Sequence, residues 1–121
     1  MATINGHDYE RAASRWLARQ GCRLVTSNYR CRVGEIDLVM TQGDTLVFVE
    51  VRVRTNPRFA SAAGSVDRRK QQRLSRAAAH YLQRHCQDQE PACRFDVVVW
   101  EPVADSGKLQ PRWIINAFLV A

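Results

Sequence analysis

Apolar residues recur at helical spacing between residues 6 and 20. Tyr9, Ala12, Ala13, Trp16 and Leu17 fall on one stripe, with Arg11, Arg15 and Arg19 on the outer side. This pattern predicts an amphipathic helix that ends at Gly21. Residues 23–30 read as a strand carried by Leu24, Val25 and Tyr29, closed by the basic turn Arg30-Cys31-Arg32. Two apolar strands follow, residues 34–40 and 46–54, on either side of a Gly43-Asp44 hairpin signal. Residues 55–65 have the composition of a loop. A second helix is expected from about residue 66 to 87, with Ser65 as a candidate N-cap and Leu74, Ala77, Ala78, Tyr81 and Leu82 on its buried stripe. Gln71 continues that stripe towards the helix start and is expected to point inward near the end of the sheet. A polar connector leads to a β-branched strand over 94–100, a turn over 104–108 and a short last strand over 113–118. The expected architecture is α/β, in the order α-β-β-β-α-β-β, forming a single domain over residues 1–121.

The hairpin fixes a register, and the register carries the chemistry. A two-residue loop sets Gln42 across from Thr45, which places Asp37 opposite Glu50 and Glu35 opposite Arg52. A four-residue loop gives the same pairs. Alternation of side chains then puts all four on one face. Like charges directly opposed destabilise a hairpin, since their Cβ atoms stand about 4.5–5.5 Å apart. A divalent cation relieves that repulsion, and carboxylates are the hard oxygen ligands that magnesium and manganese prefer. Arg52, two residues past Glu50, adds a cation able to stabilise charge on a phosphate. Two acids, a metal and a cation suffice for phosphodiester hydrolysis. A chance opposition of carboxylates on a polar sheet face, or a simple Glu35–Arg52 ion pair, remains an alternative.

Charge widens this picture. Lysine plus arginine number 18 against 12 acids, a net charge of +6, and only Lys70 and Lys108 are lysines. Arginine is the better fork for phosphate oxygens. Arg69, Arg73, Arg76, His80 and Arg84 follow at spacings of three or four along the second helix, giving either a nucleic-acid ridge or a solvated face. The first residues lack a signal-peptide pattern, and no apolar run has the length to cross a bilayer, so no membrane partner and a cytoplasmic location are expected. Cys22, Cys31, Cys86 and Cys93 show no C-x-x-C spacing and read as free thiols.

The segments Gly34-Glu35-Ile36-Asp37-Leu38-Val39 and Val47-Phe48-Val49-Glu50-Val51-Arg52 resemble the signature of the YraN-like family of small bacterial proteins. So do Gly6 and Glu10, Asn28-Tyr29-Arg30, Lys70, Leu74, Ala78, Tyr81-Leu82 and Arg94-Phe95-Asp96-Val97-Val98, so the resemblance covers nearly the whole chain. It implies membership of the PD-(D/E)xK nuclease superfamily, alongside Holliday-junction resolvases, and a restriction-endonuclease-like fold with a central mixed sheet flanked by helices. It implies that Asp37 and Glu50 bind Mg2+ or Mn2+, and that Glu10 matches the helix-one glutamate of the resolvase branch. Two positions depart from the superfamily pattern. Arg52 stands where lysine is usual, and an arginine cannot act as a general base. Glu35-Ile36-Asp37 stands where proline-aspartate is typical, making Glu35 either a spare metal ligand or an ion-pair partner.

The expected function is a metal-dependent endonuclease-like protein acting on DNA, including branched or recombination intermediates. Asp37, Glu50, Arg52, Glu10 and Gln71 form the expected catalytic set, and Arg54, Arg58, Arg69, Lys70, Arg73 and Arg76 the expected phosphate contacts. A homodimer is expected by analogy only. The alternatives are a non-catalytic nucleic-acid-binding module and a protein-interaction adaptor.

Overall fold

The computed structural model describes residues 6–54, 66–103 and 106–118. The elements are α1 (Gly6–Arg19), β1 (Arg23–Cys31), β2 (Gly34–Gln42), β3 (Thr45–Val53), α2 (Arg68–His85), β4 (Cys93–Pro102) and β5 (Leu109–Phe118). The five strands form one sheet in sequence order. Only the β3–β4 pair is parallel, and α2 makes the crossover between its strands. The α/β class, the mixed sheet and the element order agree with the expectation.

α1 ends where its sequence says. Gly21, at φ +102, takes the left-handed position, Cys22 N–H donates to Leu17 O at 3.0 Å and Gly21 N–H to Ala18 O at 3.2 Å. This is the paired closure of a Schellman motif, and the buried Cys22 packs back on the same core as Leu17. α2 starts two residues later than expected. Its N-cap is Asp67, whose carboxylate accepts from Lys70 N–H at 2.8 Å. Ser65, the expected cap, and the whole 55–65 loop lie outside the described residues.

Two cores sandwich the sheet. One face buries Ala13 and Leu17 of α1 on Leu38, Met40, Val47, Val49 and Val98. The other buries Leu74, Ala77, Ala78 and Tyr81 of α2 on Val39, Phe48, Phe95 and Val97. Leu24 and Val25, which marked β1 in the sequence, stay exposed on the sheet edge.

The hairpin has the expected two-residue loop, with Gln42 paired to Thr45. Gly43, its first central residue, sits at φ +59 while Asp44 keeps an ordinary φ, which fits a type II′ turn. The ladder runs in register to Leu38↔Val49 and stops there. At that point β2 breaks its alternation: Leu38 and Met40 face α1, whereas Ile36 and Val39 both face α2. Asn28 of β1 falls level with Asp37, between the pairs Ser27↔Leu38 and Tyr29↔Ile36, and adopts φ +54. Asp37 therefore sits where the sheet opens.

Candidate active site

Asp37 marks the end of the β2–β3 ladder and uses its side chain there. Its Oδ2 accepts the Val51 N–H at 2.9 Å. In the register of the hairpin that N–H faces Ile36, so the carboxylate replaces a backbone bond and holds the strands apart. Glu50, one residue before Val51, is 4% exposed and points to the α2 side. Arg52 Nε lies 3.5 Å from Glu50 Oε1, and Lys70 Nζ, from the first turn of α2, lies 3.6 Å from the same oxygen. Glu50 Oε2 has no hydrogen-bond partner among the described residues.

Burial and then the charge of Asp37 raise the Glu50 carboxyl to about 8, with Lys70 and Arg52 pulling the other way. Two cations do not offset the loss of water plus a neighbouring anion. Glu10, on α1, is raised for the same two reasons: desolvation first, then Asp37. Its Oε2 has His7 Nδ1 at 3.4 Å, an ion-pair contact. Asp37 is thus approached by Glu50 from the α2 side and by Glu10 from the α1 side. Glu10 also lines a cleft of about 500 Å3 between α1 and the β1–β2 strands, floored by Leu24 and Leu38.

The structure gathers Asp37, Glu50, Arg52 and Lys70, with Glu10 at the margin. Three expectations change. The direct Asp37–Glu50 and Glu35–Arg52 pairings are absent, because the ladder ends before those positions; Arg52 turns to Glu50, and the exposed Glu35 pairs with Arg30 at 3.6 Å. The amide of Gln71 donates to Val66 O at 2.9 Å, bracing the start of α2. His80 leaves the basic ridge to bond Tyr29, with Nδ1 2.5 Å from the hydroxyl, tying α2 to β1. Arg69, Arg73 and Arg76 are exposed along α2, Arg54 pairs with Glu101 at 3.8 Å, and Arg58 lies outside the described residues.

Lys70 is the site residue whose place the sequence reading missed. It was assigned to phosphate contact alone, although Lys70, Leu74, Ala77 and Tyr81 share one helical stripe and that stripe is buried. A second buried acid lies apart from the site. Asp96, 0% exposed, accepts from Arg94 Nε at 3.0 and 3.2 Å, from Trp113 Nε1 at 2.9 Å and from Asn116 N–H at 2.8 Å. Two of these contacts join β4 to β5 and the others hold Arg94 beside it, so it reads as architecture.

The donor set suits a hard cation. Asp37 and Glu50 offer oxygens, one of them unbonded, and the site opens towards solvent at the end of the ladder. Among the described residues no group of three or more His, Cys, Asp or Glu side chains is close enough to hold an ion by itself. A cation held by two carboxylates would take the rest of its shell from water or a ligand, as magnesium does where one or two carboxylates bind it. No described helix is long and apolar enough to cross a membrane.

The model of the uncharacterised protein family UPF0102 matches residues 9–100, a span that contains the entire acidic site. A UPF0102 protein of Aeromonas hydrophila is 50% identical over 118 residues, covering 97% of this chain and 86% of the relative. One from Alkalilimnicola ehrlichii is 49% identical over 113 residues, covering 93% and 85%. One from Nitrosomonas eutropha is 50% identical over 113 residues, covering 93% and 91%. The chain belongs to the UPF0102, or YraN-like, family.

Proposed function

We propose that this protein is a metal-dependent endonuclease-like enzyme of the PD-(D/E)xK type, acting on DNA. The observation that carries this reading is a buried glutamate held beside a second carboxylate, with a lysine and an arginine both on it, at the open end of a β-ladder. Burying Glu50 beside Asp37 costs stability, and strongly shifted acids of this kind cluster at functional sites.

Lys70 answers the difficulty that Arg52 raised. A guanidinium stays protonated, whereas an ammonium can give up a proton and the neutral amine it leaves can take one back. In this reading Asp37 and Glu50 hold Mg2+ or Mn2+, which supplies a polarised phosphate and a more acidic bound water. Glu10 orients water from the α1 side. Arg52 neutralises charge on the reacting phosphate, and Lys70 serves the proton transfer. The net charge of +6 and the exposed arginines of α2 draw in the polyanion. The alternative, a binding module that kept the fold and lost the chemistry, is favoured by one observation only, the arginine at position 52.

Cleavage of linear, flap and four-way DNA in Mg2+ or Mn2+ tests the reading. The wild type should cleave at least one substrate. Lys70→Met should lose about 100-fold or more, the usual contribution of a proton-transfer group, while Arg52→Lys should retain activity. An inert wild type on every substrate supports the binding module. A Lys70→Met variant as active as the wild type removes Lys70 from the chemistry.

A further inference from the structure

A second convergence of charge lies at the start of β2, beyond Asp37. Arg30 and Arg32 flank the β1–β2 turn and Arg73 reaches it from α2; with Cys31, Gly34 and Glu35 they line a pocket of about 200 Å3. Gly34 builds the pocket. A Cβ at that position would stand 2.6 Å from the backbone oxygen of Arg73, so α2 comes down on the start of β2 almost backbone to backbone. That approach delivers the Arg73 side chain to the turn. Glu35 answers Arg30 alone, at 3.6 Å. Arg32 and Arg73 are exposed and make no ion pair among the described residues. Three guanidinium forks against one carboxylate leave the pocket cationic, and forks suit phosphate oxygens.

We propose that this pocket seats a backbone phosphate of a polynucleotide, displaced along the strand from the one at Asp37 and Glu50. The displacement rests on the nuclease reading; the seat itself does not. Gly34 and Asp37 are three positions apart on β2, or about 10 Å at ~3.3 Å per residue. Successive phosphates of one DNA strand stand farther apart than the ~3.4 Å axial rise per nucleotide, because the backbone winds around the axis, so the seated phosphate lies about one or two nucleotides from the reacting one.

Binding of a fluorescein-labelled four-way junction in metal-free buffer, measured against salt concentration, tests the seat. Arg32→Ala/Arg73→Ala should lower the slope of log K on log salt by about 0.9, one phosphate contact. Arg112→Ala, on β5 at the opposite edge of the sheet, should leave the slope unchanged. A single neutral methylphosphonate, moved along the strand, should weaken wild-type binding about one or two nucleotides from the cleavage position, and the double variant should lose that penalty. An unchanged slope, or a penalty that survives in the double variant, overturns the proposal. So does inorganic phosphate that binds through these arginines while the junction's slope ignores them, since the pocket would then serve a free anion. If the protein binds with the expected slope change but never cleaves, the nuclease reading fails and the phosphate seat stands.

Discussion

Replacing Glu50 with glutamine removes a charge and keeps the shape. The carboxyl is raised from an ordinary 4.5 to about 8, by burial first and by Asp37 second. Between those values the folded protein holds a proton that the unfolded chain releases. Stability linked to Glu50 is therefore complete below about pH 4.5 and is lost as pH rises through about 8. At ~1.36 kcal/mol per pH unit the interval corresponds to about 5 kcal/mol. The amide also ends the attraction to Lys70 and Arg52, which leaves two cations without their partner, so a net effect of roughly 2–4 kcal/mol is expected. Glu50→Gln should match the wild type near pH 4.5 and exceed it progressively to pH 8.5. At about 2.1 cal/mol/K per residue the gain amounts to ~4 °C in Tm for each kcal/mol. Urea unfolding followed by circular dichroism at several pH values reads the difference directly. A difference that stays flat across this range, or a variant less stable than the wild type at pH 8.5, refutes the electrostatic account of the site.

Gly34→Ala should cost about 1–3 kcal/mol of stability in a thermal melt, because its Cβ would meet a helix carbonyl at 2.6 Å and neither backbone has room to yield. Asp96→Asn should cost more, about 3–5 kcal/mol in urea, since it strips the counter-charge from Arg94 and sets an amide against two buried donors. The same variant should leave Mn2+ binding at Asp37 intact, which separates the architectural acid from the site acids.

The strong periodicities were readable in the sequence. Both helices, the five strands and the Gln42–Thr45 closure all follow from apolar spacing and turn residues, because each is decided within a few positions. The nearness of Asp37 to Glu50 follows from the hairpin register, although the ladder ends at Leu38–Val49, one pair short of setting them directly opposite. What was hidden lies where the ladder ends. A face count assumes unbroken alternation, and β2 breaks it between Ile36 and Leu38, opposite Asn28 at φ +54. No local pattern marks that break, so Glu35 was placed against Arg52 when it stands with Arg30. Lys70 was misjudged for a different reason. Its stripe on α2 is plain, but which part of the sheet that stripe covers depends on a βα crossover whose landing point is set by Gly34 meeting Arg73. Gln71 shared that stripe and was expected at the reaction, yet the start of α2 takes its amide.

Calorimetric titration of Mn2+ into wild type and Asp37→Asn, both at pH 8.5 and with an uncleavable oligonucleotide present, tests the central claim most directly. The account predicts saturable binding of about one ion per wild-type chain, completed by substrate phosphate, and its loss in the variant. Equal binding by both proteins, or no saturable binding by the wild type, would contradict it.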